Sequence, residues 1–208
     1  MSQKNVAIRY LGGCGGHFVN YFLLASGKYA TRYYITNKNK KLKIDIRPGD
    51  LKIVSRLFYQ QFGDKREWLS EEIWPDNTEC DFSPRLFLYC DDGTPEKNKD
   101  IINVCPYISD FKDWFRTVLY KRTNLFRGID PTLSTVKKIY KEKSSKKYTS
   151  FKKVPGCDYY FDIMQFVNNL STRKKLCDFL QIDHTDLMEE FVHHYNDCHK
   201  ELKKKTSW

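Results

Sequence analysis

Residues 5–27 read NVAIRYLGGCGGHFVNYFLLASG, and this stretch decides the fold. Asn5 to Leu11 is a short, β-rich run. Four glycines then fall among the five residues Gly12 to Gly16, interrupted only by Cys14, so the chain must turn tightly there. From His17 the period changes. Phe18, Tyr21, Phe22 and Ala25 stand at i, i+3, i+4 and i+7, the apolar stripe of a helix, and Gly27 is a suitable stop. The expectation is strand, glycine loop, helix. Such a helix begins with amides that no helical carbonyl reaches. With the helix dipole they form an anion site, and glycines let a phosphate approach the backbone with no Cβ in the way. A tight turn that packs helix on strand, without a ligand, would use the same glycines.

Outward from this unit, TRYYITN and KLKIDI read as a hairpin across residues 37–40 or as an excursion from the fold. Pro48-Gly49-Asp50 breaks the chain and opens a helix over 51–62, with Ile53, Val54, Leu57, Phe58 and Phe62 on one face. A second short helix is expected near 65–73. Arg85 to Cys90 is a nearly continuous apolar run, which suits a strand buried on both faces. Ile101 to Cys105 is a further strand, and Ser109 is placed to cap a helix over 110–127. Another helix is expected over 131–142, then a basic, Ser-rich stretch over 143–153. The last third carries helical periodicity over 162–168, 172–180 and 185–202. Strands alternating with helices argue for one α/β domain over 1–208, three-layered around a mostly parallel central sheet, with a helical C-terminal third.

The bulk composition agrees. Across 208 residues, 40% hydrophobic and 15% aromatic content suffices for a packed core, and 30% charged residues solvate the surface. The net charge of +10 favours anionic ligands or surfaces without choosing among them. Seven cysteines, odd in number and without a C-x-x-C, fit reduced thiols better than a disulfide scaffold or a zinc ribbon. No signal-peptide pattern opens the chain, and Phe18 to Ala25 is too short to span a bilayer. A cytoplasmic protein with no membrane partner is the expectation.

The glycine loop is neither G-x-x-x-x-G-K-[ST] nor G-x-G-x-x-G, because His17 follows Gly16 and no Lys or hydroxyl residue stands there. Two further segments bear on its meaning. NVCPYISDFKDWFRTVLYKRTNLF, residues 103–126, reads as a strand, a loop and a long helix. FDIMQF, LCDFLQID and HHYNDCH follow in the C-terminal third. Together with YLGGCGGHFVNYFLL, these segments resemble the P-loop-like sulfotransferase fold, and more closely the small sulfotransferase-like proteins of bacteria and their phages. The resemblance covers about two thirds of the chain.

It implies a nucleotide-binding transferase that uses 3′-phosphoadenylyl sulfate (PAPS) as co-substrate and a small-molecule or carbohydrate acceptor. By position, Gly13, Cys14, Gly15, Gly16 and His17 would hold the 5′-phosphosulfate. Ser109, with Arg116, would hold the 3′-phosphate. The chain departs from the family in three places. Cys14 stands near the place of the loop Lys, His17 replaces a hydroxyl residue, and Tyr107-Ile108 stand where an Arg would follow the second strand.

His17 is a candidate to donate to a phosphate oxygen or to take a substrate proton. Asp92, with Asp91, follows a buried strand and is a candidate base, or else a turn residue before Gly93. Lys121, Arg122, Arg116 and the lysines of 143–153 could supply charge to a leaving group. His193, His194, Cys198 and His199 have metal-like spacing, but one helix cannot turn all four inward. The basic helix over 110–127 could line a nucleic-acid groove, yet no nucleic-acid-binding signature accompanies it. A degenerate P-loop phosphotransferase and a non-catalytic anion-binding protein remain the alternative functions.

Overall fold

The computed structural model describes residues 3–10, 14–37, 40–62, 71–77, 81–90, 95, 98–110 and 153–205. Four strands make one sheet: β1 (Asn5–Arg9), β5 (Leu86–Tyr89), β6 (Ile101–Tyr107) and β7 (Tyr159–Asp162), in the order β5-β1-β6-β7. Every neighbouring pair is parallel. β2 (Thr31–Asn37), β3 (Lys40–Ile46) and β4 (Glu71–Asp76) form a separate antiparallel sheet in the order β3-β2-β4. Five helices complete the described residues: α1 (Gly16–Leu24), α2 (Leu51–Phe62), α3 (Ile163–Asn168), α4 (Leu170–Leu180) and α5 (Asp186–Lys205). The class is α/β with an all-parallel sheet.

Helix α1 has no charged residue, and all nine of its residues are buried. A helix apolar on every side must be covered on every side. Phe18 stacks on Tyr195 of α5 at 4.0 Å between ring centres, and Phe22 meets Phe166 of α3 edge-on at 4.8 Å. Tyr21 packs against Phe58 of α2 and stacks on Tyr33 of β2. Phe58 in turn stacks on Phe191 of α5 at 3.9 Å. Thr185 joins the ends of two helices: its hydroxyl donates to the Ala25 carbonyl and accepts from the Met188 amide.

The hairpin over β2 and β3 forms as one of the two readings of that segment. Three expectations differ. Glu71 to Ile73, assigned to the end of a helix, lie in strand β4, because this segment pairs along β2 from Asn37↔Glu71 to Arg32↔Asp76. The strand at Leu86–Tyr89 is not buried on both faces. It lies at the end of the parallel sheet, with Leu86 and Leu88 buried and Phe87 and Tyr89 half-exposed. Arg85 and Arg9 cover those two rings through cation–π contacts at 4.6 and 4.5 Å. Strand β7 was absent from the sequence reading. The helices expected over 110–127 and 131–142 lie outside the described residues, except for Asp110 at the edge of the first.

A buried ion pair fixes the C-terminal helices to one another. Arg173 of α4 is only 5% exposed. Its guanidinium donates to both carboxylate oxygens of Glu189 on α5 and to the carbonyls of Phe166 and Val167, the end of α3. His184 adds a contact to Glu189 at 2.8 Å. Burial pushes the Glu189 carboxyl up, but the hydrogen bonds and charge of Arg173, with His184, outweigh it and hold the group below its ordinary 4.5. Breaking such a pair strands a buried charge, so Glu189→Ala is expected to cost about 3–5 kcal/mol. Thermal unfolding at pH 7 measures this. A depressed carboxyl pKa contributes stability above the unfolded-state value, and that contribution is lost as pH falls through the folded-state value. The gap in Tm between wild type and Glu189→Gln should therefore be full at pH 6 and shrink below pH 4.5.

Candidate functional site

The strand order places one crevice in the parallel sheet. From β1 the chain reaches β5 on one side, whereas β6 and then β7 lie on the other. The connections after β1 and after β6 therefore leave in opposite directions, and ligands of open α/β sheets gather at such a point, outside the carboxyl ends of the strands. The hydrogen-bond ladders open there as well. β1 and β6 are in register only to Ile8↔Val104. β1 stays bonded to β5 as far as the Tyr10 amide on the Tyr89 carbonyl, and β6 stays paired with β7 to Tyr107↔Asp162. The glycine loop leaves one side of this opening and Ser109 leaves the other.

At the start of α1, Gly15 is the N-cap residue, in the left-handed conformation at φ 74°. Its carbonyl takes the first helical hydrogen bond, from Val19 at 3.0 Å, which leaves the amides of Gly16, His17 and Phe18 without helical acceptors. Gly15 brings no side chain to cap this end, no acidic residue stands in the first turn, and Cys14 to Phe18 are buried. Buried amides need partners, and an anion is one that fits a helix N-terminus.

The glycines themselves have packing reasons. A Cβ on Gly16 would sit 2.2 Å from the Tyr10 ring, and one on Gly15 would sit 2.8 Å from Ile163 Cγ1. Tyr10, at the end of β1, thus lies flat on the first turn of α1, and only glycine at 16 leaves it room. Gly12 and Gly13 lie outside the described residues. Close packing is therefore a direct property of Gly15, against α3, and of Gly16, against the end of β1, whether or not the loop also holds an anion.

His17 is 7% exposed, edge-on to the Tyr10 ring. The Gln61 side-chain amide, in the last turn of α2, lies 3.3 Å from its Nδ1. With the Gln61 amide nitrogen as the donor, Nδ1 accepts and the ring proton lies on Nε2. This arrangement suits His17 as a donor to an anion better than as a base. One turn on, Asn20 is fully buried and its amide donates to the Tyr33 hydroxyl. The carbonyl oxygens of Asn20 and Gln61 are buried with no hydrogen-bond partner among the described residues.

Across the crevice, Asp162 organises the carboxyl ends of β6 and β7. Its Oδ1 caps α3 by accepting from the Met164 and Gln165 amides. Its Oδ2 accepts from the Ser109 amide at 2.9 Å and the Ser109 hydroxyl at 2.6 Å. Both donors of Ser109 are thus directed at a carboxylate. Lys153 reaches this edge, with its ammonium 5.0 Å from the Tyr107 ring centre and 5.2 Å from that of Tyr160. Burial, then the charge of Asp162, push the Tyr107 phenol above its ordinary value.

The sequence-predicted residues divide accordingly. Cys14, Gly15, Gly16 and His17 stand together at the N-terminus of α1, and Ser109 faces the same crevice from β6. Gly13, Asp92 and Arg116 lie outside the described residues. His194 and Cys198 do share one helix face, but both point at the Phe62 carbonyl, at 2.7 and 3.7 Å, and so close the C-terminus of α2. No group of three or more His, Cys, Asp or Glu side chains that could hold a metal is found among the described residues.

Comparison with protein-family models, with curated proteins and with solved structures finds no match to this chain. No helix among the described residues is long and apolar enough to cross a membrane.

Sequence reasoning missed Gln61, Tyr10 and Asp162. Gln61 flanks the apolar face of α2 and carries no mark in sequence of its contact with His17. Asp162 had a signal, an N-cap aspartate after three aromatic residues, but its bond to Ser109 spans 53 positions. Gly16→Ala is expected to lower stability by about 1–3 kcal/mol through overpacking against Tyr10. Combining it with Tyr10→Ala should cost less than the sum of the two single changes, as denaturant unfolding of the four proteins would show.

Proposed function

We propose that this protein binds a phosphoadenosine nucleotide at the crevice between β1 and β6 and acts as a sulfotransferase-like enzyme on a P-loop-like, three-layer α/β frame. The observation that carries the reading is the buried N-terminus of α1, which follows the glycine loop and has neither an N-cap side chain nor an acidic first turn, at the point where the β1–β6 ladder opens. The amides after Gly15 and the Nε2–H of His17 would receive the phosphosulfate of 3′-phosphoadenylyl sulfate. His17 then takes the donor part that a loop hydroxyl and lysine play in the family this sequence resembles.

Transfer would run in line. An acceptor hydroxyl or amine attacks sulfur, the sulfur–oxygen bond to the phosphate breaks, and adenosine 3′,5′-bisphosphate leaves with the negative charge. Donors aimed at that leaving oxygen lower the barrier most. The acceptor proton would pass to a base, for which Asp92 is the sequence candidate. The acceptor itself would be a small molecule or carbohydrate, and the carbonyls of Asn20 and Gln61 are free to accept hydrogen bonds.

One observation favours a second reading. The Ser109 donors are engaged by Asp162, and a carboxylate beside the expected 3′-phosphate site opposes an anion there. A single-anion binding protein on the same frame, without turnover, accommodates this better.

Calorimetry with adenosine 3′,5′-bisphosphate, against ATP–magnesium, separates these readings. The expected result is micromolar affinity for the bisphosphate, weakened about tenfold or more in His17→Ala by loss of a charge-assisted hydrogen bond. Gly15→Asp is a poor probe, because its backbone strain and the contact with Ile163 would disturb the fold itself. Absence of bisphosphate binding would overturn the donor assignment. Preference for ATP–magnesium would move the assignment to a phosphotransferase, and equal affinity for inorganic phosphate would favour the single-anion protein.

A further inference from the structure

We propose that one face of the parallel sheet binds single-stranded nucleic acid, stacking its bases on a row of cation-covered aromatic rings. The register separates the two faces. Val6, Ile8, Leu86, Leu88 and Val104 share one side and are buried in the core. Arg9 and Tyr89 are register partners on the other side, and Cys105 and Tyr160 are partners there as well. Strand alternation adds Phe87 next to Tyr89 and Tyr107 next to Cys105. Phe87, Tyr89, Tyr107 and Tyr160 are each half-exposed. Rings gathered on one face at the surface mark an interaction site, whereas rings scattered singly do not.

Each of these rings is paired with a cation. The Arg85 guanidinium lies 4.6 Å from the Phe87 ring centre, and that of Arg9 lies 4.5 Å from the Tyr89 ring centre. Lys153 serves the other two rings, Tyr107 at 5.0 Å and Tyr160 at 5.2 Å. Consequential pairs of this kind occur about once per 70–80 residues, so their concentration on four short strands sets this face apart. Arg9 is also held in place, because its Nε donates to Asn103 Oδ1 at 3.0 Å. The carboxylates at the β7 border, Asp158 and Asp162, accept from the Asn103 amide and from Ser109.

A guanidinium backed by a ring is a positively charged stacking platform. A nucleobase stacks on it, and the phosphates of the strand pair with its charge. An acidic peptide would use the charge and leave the rings without a part. The net charge of +10 supplies the longer-range attraction. Spacing selects the single strand. The Phe87 and Tyr89 rings lie 6.3 Å apart, whereas duplex bases rise about 3.4 Å per step and are closed to stacking from outside. Rings at nearly twice that rise fit splayed bases. From β5 to β7 the face spans three strand spacings, about 14 Å, so it takes a short run of nucleotides. It shares no residue with the glycine loop and is independent of the nucleotide reading.

The test is fluorescence anisotropy of the full chain with a labelled oligothymidine of about twelve nucleotides, the same oligomer annealed to its complement, and heparin as competitor. Micromolar binding of the single strand is expected, falling with salt and at least about tenfold tighter than binding of the duplex. Phe87→Leu with Tyr89→Leu should weaken it about tenfold or more, with little change in salt dependence. Arg85→Gln should reduce the salt dependence instead. A second readout needs no variant: an iodouracil-substituted oligomer, irradiated on the wild-type protein, should cross-link to the peptides carrying Phe87, Tyr89 or Tyr107. Equal affinity for duplex, displacement by heparin at equal charge, or cross-links confined to other segments would overturn the proposal. So would displacement of the oligomer by adenosine 3′,5′-bisphosphate, which would put the strand in the crevice, or absence of binding.

Discussion

The packing of Tyr10 on Gly16 is the constraint from which the rest of the structure follows. It holds the first turn of α1 against the residue that follows β1, where only glycine leaves the ring room. The helix is thereby drawn under the protein and buried along its whole length, a position that only an uncharged sequence tolerates. The other helices are arranged to cover it. α2 and α5 supply Phe58, Phe62 and Tyr195, and α3 supplies Phe166. Arg173 then binds the end of α3 to α5 through Glu189, so the cover is held by charge-assisted bonds as well as by area.

At the N-terminus of α1, that burial removes water from the first turn. A helix that starts inside the protein cannot leave its first amides to water, and its own sequence provides no acidic or hydroxyl cap. The crevice at the same place results from topology rather than from local sequence. β1 and β6 separate because their chains must depart to opposite sides, and the Asp162 carboxylate ties the β6 side to α3. The site is thus asymmetric: amide donors and an imidazole on the β1 side, a carboxylate and its serine on the β6 side. Under the proposed reading one anion sits at the glycine loop, and whatever is attached to it extends across the crevice.

Much of this was legible in sequence where local signals agreed. Residues 5–27 combine β propensity, glycines and a 3.6-residue stripe, and each signal points to the same unit. Helix α2 and the C-terminal helices were equally readable from their apolar faces. The failures share a cause. Glu71–Asp76 has no alternation and contains Pro75, and it is a strand only because β2 pairs with it. Tyr159–Asp162 is four residues long and runs straight into its own helix, so Asp162 masked it by reading as a helix start. The contacts that define the site, His17 with Gln61 and Ser109 with Asp162, join positions 44 and 53 residues apart. Pairings at that range leave no periodic or compositional trace in a single sequence.

On the proposed reading, the amides at the start of α1 bind the anion. The most direct measurement is an amide-resolved nuclear magnetic resonance titration of the protein with adenosine 3′,5′-bisphosphate. The largest shifts, with downfield proton movement, are expected on Gly15 to Phe18, with smaller changes at Ser109 and along β6. Shifts confined to the lysine-rich end of α5, or an unaltered first turn of α1 at saturating nucleotide, would contradict it.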